Sequence, residues 1–122
     1  MADQDSKRCG IILDGYTVDT VVPECEFHPE VSLTFRPMSK LQVADTIGRI
    51  AKHRDNPVKG EEIAAEVMAK QIKSWSLQDH EGNAVPVNAD MMKLLEPHLS
   101  AKIFDLIRGE EVSIKRDEDL KN

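Results

Sequence analysis

The chain has 122 residues, of which 40% are apolar and only 4% aromatic, and its formal net charge is -6. This length is typical of a single domain with its own core, and the apolar content excludes a chain that is disordered by composition. The acidic balance argues against a nucleic-acid-binding protein, because contacts with phosphates require clustered Lys and Arg. No apolar run approaches the about 20 residues that span a bilayer, and the N-terminus lacks the apolar segment of a signal peptide. We therefore expect a cytoplasmic protein that contacts no membrane.

Strands are predicted in the first third of the chain. Residues 10–13 (G-I-I-L) are a short apolar run, and residues 16–22 (Y-T-V-D-T-V-V) are rich in β-branched side chains that favour strands. The dipeptide Asp14-Gly15 between them is typical of a turn. Residues 31–35 (V-S-L-T-F) alternate between apolar and polar side chains, as in a strand with one buried and one solvated face.

A first helix is predicted after Ser39, which can form a capping box with Gln42. Gly48 costs about 1 kcal/mol relative to Ala in a helix interior, which indicates close packing against another element. The basic residues of the last turns complement the helix dipole, and they form a solvated face or contact an acidic partner. These basic residues are Arg49, Lys52, His53 and Arg54. The apolar residues at helical spacing, expected to face the core, are Leu41, Ala44, Ile47, Ile50 and Ala51.

A second helix is predicted over residues 60–74, because Asp55-Asn56-Pro57 breaks the first one. Its core-facing stripe consists of Ile63, Val67, Met68 and Ile72, and Trp75 continues this stripe.

The segment from Trp75 to Pro97 is predicted to join two helical parts of the chain. Trp75 and Leu77 suit a short strand or an extended arm, residues 79–82 (D-H-E-G) suit a turn, and together with residues 85–87 they predict a small hairpin or an Ω-like loop. Asn88 can cap a short helix, and Pro97 is suited to the first turn of another. The apolar face of that last helix is Leu99, Ile103, Leu106 and Ile107, with Phe104 beside it and Gly109 at its end.

These elements predict an α+β fold, in which a small antiparallel sheet from the N-terminal third packs against three to four helices. We expect a flexible N-terminus over residues 1–9 and a single domain over residues 10–109. Residues 110–122 are strongly charged, which indicates a flexible tail or a helix that forms with a partner.

The sequence offers little catalytic chemistry. It has no nucleophile motif and no glycine-rich phosphate loop, and the carboxylates and His80 of the D-H-E-G turn suit a turn better than a site. We expect a protein without enzymatic activity or cofactor. A small metal-binding module using Cys9, Cys25 and His28 is an alternative, although this set is incomplete for a closed zinc site.

The order of motifs resembles that of tail assembly chaperones and related small tail-module proteins of long-tailed bacteriophages and prophages. A β-rich start leads to F-R-P-x-S, and a later W-x-L-x-D-x-x-G segment precedes a helix with L-L-x-P-x-L, so that the resemblance covers about residues 16–108. It departs at Ala84, where such proteins often have proline, and the N-terminus with Cys9 has no clear counterpart. The matching residues are Phe35, Arg36, Pro37, Ser39, Trp75, Leu77, Asp79, Gly82, Pro86, Leu94, Leu95, Pro97 and Leu99.

The resemblance implies a non-enzymatic protein that binds the tape measure protein, the tail tube protein or both during tail assembly, in the host cytoplasm. The alternative is a virion structural component, such as a tail terminator or a head-tail connector subunit, which would form homo-oligomers. Tryptophan anchors many protein interfaces, and methionine adapts to varied partners. The predicted partner-binding residues are Trp75, Leu77, Met91, Met92 and Leu95. The alternative is structural: Trp75 closes the second helix against the sheet or the last helix, and the methionines belong to the core.

Overall fold

Three strands and four helices make up residues 10–109, the part of the chain that this computed structural model describes. Residues 1–9 and 110–122, predicted to be flexible ends, lie outside the described residues. The architecture confirms the predicted α+β class. The strands β1 (Val18–Val22), β2 (Val31–Phe35) and β3 (Ile72–Trp75) form one antiparallel sheet in the order β1-β2-β3. The helices are α1 (Lys40–Ala51), α2 (Pro57–Gln71), α3 (Ala89–Met92) and α4 (Pro97–Ile107).

The central strand β2 has the predicted bounds and the predicted faces. Val31, Leu33 and Phe35 are at most 4% exposed and point into the core. On the opposite face the Thr34 hydroxyl donates a hydrogen bond to Asp19 Oδ1 at 2.6 Å, which links β2 to its neighbour β1. The sheet therefore has one buried and one solvated face, as the alternating sequence predicts.

The prediction of a strand over residues 10–13 is wrong, and β1 begins at Val18, two residues later than predicted. The predicted turn does form, with the Tyr16 N–H donating to the Leu13 carbonyl at 3.0 Å. Ile11 and Leu13 are 62% and 65% exposed. A run of three apolar residues places too few side chains on one face to fix the register of a strand.

The capping box at the start of α1 is confirmed. The Ser39 N–H donates to Gln42 Oε1 at 2.9 Å, and the Gln42 N–H donates to Ser39 Oγ at 3.3 Å. Just before the cap, the buried Met38 donates its N–H to the Ile107 carbonyl at 2.9 Å. This bond ties the start of α1 to the end of α4.

The predicted apolar face of α1 is wrong except at Ile50, because the other four predicted residues are exposed. Leu41 is 76% exposed and Ile47 44% exposed, whereas Thr46 is buried. The helix packs on α2 through a neighbouring stripe in which Val43 and Ile50 are half-buried. Apolar residues lie on two neighbouring stripes of this helix, and the stripe that contains Val43 and Ile50 is the one that packs.

Helix α2 begins three residues earlier and ends three residues earlier than predicted. Asn56 Oδ1 accepts the Lys59 N–H at 3.3 Å and caps the helix. Pro57 occupies the first turn, where backbone N–H groups have no partner within the helix, so the N–H that proline lacks costs no hydrogen bond. Residues 72–74, predicted to be helical, belong to β3. The alternative pairing with β2 prevails because it buries Ile72 to 3% exposure beside Phe35.

A two-way clamp holds the end of α2 against the end of β2. Gln71 is only 7% exposed, and its Nε2 donates to the Arg36 carbonyl at 2.7 Å. The Arg36 N–H in turn donates to the Gln71 carbonyl at 2.7 Å. These paired bonds join segments 35 residues apart in sequence and satisfy a buried amide side chain.

The core lies between the buried face of the sheet and helices α2, α3 and α4. The predicted core-facing residues of α2 and α4 are confirmed as buried, except that Val67 is half-buried. Three of the buried core residues are methionines, in keeping with the small number of aromatic residues. The buried apolar cluster consists of Val22, Val31, Leu33, Phe35, Met38, Ala65, Met68, Ile72, Met92, Leu99, Ile103, Leu106 and Ile107.

Candidate functional site

An open groove of about 970 Å³ is lined mainly by α2 and α4, and the ends of α1 and α3 also contribute to its lining. The buried Ala65, Met68 and Met92 contribute to its lining. Leu95 and Phe104, both half-buried, also line it. Such a concave apolar surface with charged groups around it is typical of binding sites. The charged and titratable lining residues are His53, Arg54, Glu61, Glu62, Lys93 and Asp105.

Two caps place the helices that form this groove. Asn88 Oδ1 accepts the Met91 N–H at 2.8 Å and starts α3, as predicted. Glu96 caps α4 by accepting the Leu99 N–H at 2.9 Å. Short α3 packs on α2, and the two caps define where α3 and α4 begin beside the groove.

The pKa of Glu96 is lowered from 4.5 to about 2. Partial desolvation raises this pKa, but the hydrogen bonds from the His98 backbone and ring and from the Leu99 N–H lower it by more. The His98 Nδ1 lies 2.6 Å from Glu96 Oε2, and the His98 ring stacks on Phe27 with 3.7 Å between ring centroids. The cap of α4 is thereby also linked to the loop between β1 and β2.

The hairpin predicted after β3 is confirmed. Asp79 Oδ1 accepts the N–H groups of Glu81 and Asn83 at 2.9 and 3.0 Å, and residues 78 and 84 form a bridge. Trp75 closes over this hairpin, because its Nε1–H donates to the Val85 carbonyl at 2.7 Å.

The structure separates the five predicted partner-binding residues. Met92 and Leu95 lie together in the groove. Trp75 borders a shallow hollow on the solvated face of the sheet, beside residues 19–21 and 32–34. Leu77 and Met91 are half-buried and line neither surface. All five remain predictions as partner contacts.

Sequence reasoning missed several groove residues, among them Ala101 and Phe104 on α4. Phe104 lies beside the buried stripe of α4 rather than within it. A large apolar side chain outside the core-facing stripe is the sequence signal that could have predicted Phe104 as a groove residue. Ala101 is exposed on the same helix, and an alanine carries no such signal.

Cys25 and His28, the two described members of the alternative metal site, lie on either side of a lysine. The Lys102 Nζ is 3.0 Å from His28 Nε2 and 3.6 Å from Cys25 Sγ. His28 Nδ1 lies 2.8 Å from the Pro29 carbonyl, which can only accept, so this nitrogen carries the proton and Nε2 accepts from the lysine. Within residues 10–109 no three His, Cys, Asp or Glu side chains are grouped to hold a metal ion, and Cys9 lies outside the described residues.

No protein-family model, curated protein or solved structure matches this chain. None of the helices in residues 10–109 combines the length and the apolar character needed to cross a membrane.

Proposed function

We propose that this protein is a tail assembly chaperone of the kind found in long-tailed bacteriophages and prophages. In this role it binds an apolar segment of the tape measure protein or the tail tube protein without catalysing a reaction. The motif order from Phe35 to Leu99 supports the class of protein, and the groove supports the mode of binding. The observation that carries the proposal is the groove itself, an open apolar surface of about 970 Å³ within a small domain.

The groove suits a helical segment better than an extended one. Its lining comes from helices on both sides, and an amphipathic helix buries its apolar face in a groove of this kind through side chains spaced by three and four residues. Met68 and Met92, which contribute to the lining, can repack around different apolar side chains. A chaperone that protects several segments of a long partner needs this tolerance.

Co-expression with the tape measure protein and the tail tube protein, taken one at a time, tests the proposal. We expect this protein to co-purify with at least one of them and to raise its soluble fraction. Ala101→Glu places a charge in the groove at an exposed helical position, and it should abolish both effects. Leu94→Glu is the matched control, since Leu94 is 75% exposed and does not line the groove.

Two results would contradict the proposal. One is a failure of the unaltered protein to change the solubility of either partner. The other is a loss of binding with Leu94→Glu but not with Ala101→Glu, because the groove would then not be the contact surface.

A virion structural component is the second candidate, and exposed apolar side chains favour it. Val21 in β1 is 51% exposed and Leu41 in α1 is 76% exposed. Exposed apolar side chains can contact a neighbouring subunit. A ring or tube subunit should form larger species as its concentration rises, so light scattering that finds one monomeric species throughout would exclude this candidate.

A further inference from the structure

A thiol, an amine and an imidazole meet where the loop between β1 and β2 lies on α4. The Lys102 Nζ is 3.6 Å from Cys25 Sγ and 3.0 Å from His28 Nε2. Cys25 and His28 belong to the loop, whereas Lys102 belongs to α4 and follows the cysteine by 77 residues. Two nucleophiles from distant segments of the chain are therefore held next to each other.

Contacts that do not involve the amine fix the loop against α4. The Cys25 N–H donates to the His28 carbonyl at 3.1 Å, and the two residues form an antiparallel bridge. Between them in sequence, Phe27 stacks on His98 of α4 with 3.7 Å between ring centroids. Because these contacts keep Sγ close to Nζ, a reaction between the two atoms is favoured over a reaction with a second molecule.

Lys102 is available for such a reaction. It forms no salt bridge with a carboxylate of residues 10–109, although three glutamates of the same loop are exposed. These glutamates are Glu24, Glu26 and Glu30.

His28 is placed to take a proton from Lys102. The imidazole is only 5% exposed, and its Nδ1 carries the proton because it lies 2.8 Å from the Pro29 carbonyl. Nε2 is therefore the acceptor, and it faces the Nζ that must lose a proton before it can act as a nucleophile.

The chemistry of the cysteine supplies the other half of the reaction. Cys25 is exposed, so a peroxide can reach its sulfur. Hydrogen peroxide oxidises a thiol to a sulfenic acid and is itself reduced to water, and a sulfenic acid condenses with a neighbouring nitrogen to a sulfenamide. In the condensation the Lys102 nitrogen attacks Sγ, the N–S bond forms, and the S–O bond breaks. The departing hydroxide takes the proton held by His28 and leaves as water, and the new N–S nitrogen releases its remaining extra proton to solvent.

We propose that oxidation by a peroxide joins Cys25 to Lys102 through a sulfenamide bond between Sγ and Nζ. The bond ties the loop between β1 and β2 to α4. An added thiol reverses it, because two thiol molecules form a disulfide and return the sulfur to a thiol and the nitrogen to an amine. This site is independent of the proposed function, since neither Cys25 nor Lys102 lines the groove.

The intact mass of the full-length protein after treatment with hydrogen peroxide tests the proposal. The protein carries Cys9→Ser, because a disulfide between its two cysteines would give the same mass change. We expect a loss of about 2 Da, in contrast to the gain of about 16 Da that a sulfenic acid gives. Proteolysis should yield a fragment in which Cys25 and Lys102 are joined, and dithiothreitol should restore the original mass.

Three substitutions in the same background test the roles of the nitrogen atoms. Lys102→Arg keeps the positive charge but removes the amine, so Cys25 should be oxidised without forming the cross-link. Lys70→Arg is the matched control at an exposed position on α2, and the cross-link should form in it as before. His28→Gln should slow the cross-link on the order of 100-fold, because the proton acceptor is lost. Circular dichroism establishes that each variant is folded.

Either of two results would overturn the proposal. One is a treated Cys9→Ser protein that gains about 16 or 32 Da, as sulfenic and sulfinic acids do, or forms a disulfide-linked dimer, without losing 2 Da in any fraction. The other is a cross-link that forms equally well in Lys102→Arg, because the sulfur would then have reacted with a different nitrogen.

Discussion

Gly48→Ala should stabilise the protein by about 0.5–1 kcal/mol, which is the usual cost of glycine in a helix interior. The surroundings of Gly48 add no other contribution to this free energy. Gly48 lies within α1, and an added Cβ would contact nothing within 4 Å outside the helix itself. The methyl group therefore meets no steric penalty and gains no packing, so helix propensity accounts for the whole effect. For a domain of roughly 100 residues, 1 kcal/mol raises the midpoint of thermal unfolding by about 4–8 °C.

Circular dichroism during thermal and urea unfolding measures the effect, and two other glycines provide controls. Gly60→Ala should also stabilise the protein, because the added Cβ on α2 would lie 3.5 Å from Ile50 Cγ2 of α1, which is an ordinary van der Waals contact. Gly82→Ala should destabilise by about 1–2 kcal/mol, because Gly82 has a φ of 86° that L-residues rarely adopt. A lower unfolding midpoint for Gly48→Ala would refute the reasoning, since it would mean that another group packs closely on this helix face.

Three further predictions concern contacts that hold the domain together. Gln71→Leu should cost about 1–3 kcal/mol in the urea-derived free energy of unfolding, because it leaves the Arg36 carbonyl without its donor in a partly buried position; an unchanged value would show that water replaces the clamp. Trp75→Phe should cost about 1 kcal/mol for the lost bond to the Val85 carbonyl and should speed amide exchange in the 78–84 hairpin, so unaltered exchange would contradict a closing role. The pKa of Glu96 in the folded protein is about 2, below its ordinary value of 4.5. The contribution of the ionised Glu96 to the free energy of unfolding is therefore complete above pH 4.5 and is lost as the pH falls towards 2. The difference in urea midpoint between the wild type and Glu96→Gln should accordingly narrow across that interval, and a constant difference would rule out this linkage.

The sequence alone could predict the elements whose local signals agree with their surroundings. β2 alternates strictly, and burial of Val31, Leu33 and Phe35 requires the same faces that the alternation indicates. The caps at Ser39 and Asn88 act through bonds within three residues of themselves, so no distant contact is needed to recognise them. The fold class follows from these elements, because a strand with one apolar face requires a layer of helices to cover it.

The predictions that failed depended on distant contacts. Residues 72–74 continue a helical stripe, yet pairing with β2 converts them into a strand. The stripe of α1 that is buried is the one facing α2, and that packing partner cannot be read from the spacing of apolar residues within α1. The groove could be predicted only in part, since Met92 and Leu95 carry an apolar signal whereas Ala101 becomes a lining residue only through the packing of α4 beside α2.

The segment from Trp75 to Pro97 carries most of the resemblance, but its residues mainly hold the fold in place. Trp75 bonds the Val85 carbonyl, Asp79 orders its own turn, and Asn88 starts α3. The segment also contributes Met92 and Leu95 to one side of the groove. A protein can therefore share this segment, and with it this part of the groove, while the rest of the lining differs. We therefore expect partner preference to depend on lining residues outside the segment, such as Phe104 and Arg54, more than on Trp75. Exchanging Phe104 for Leu should change which partner is kept soluble, whereas Trp75→Phe should lower stability and leave the preference intact.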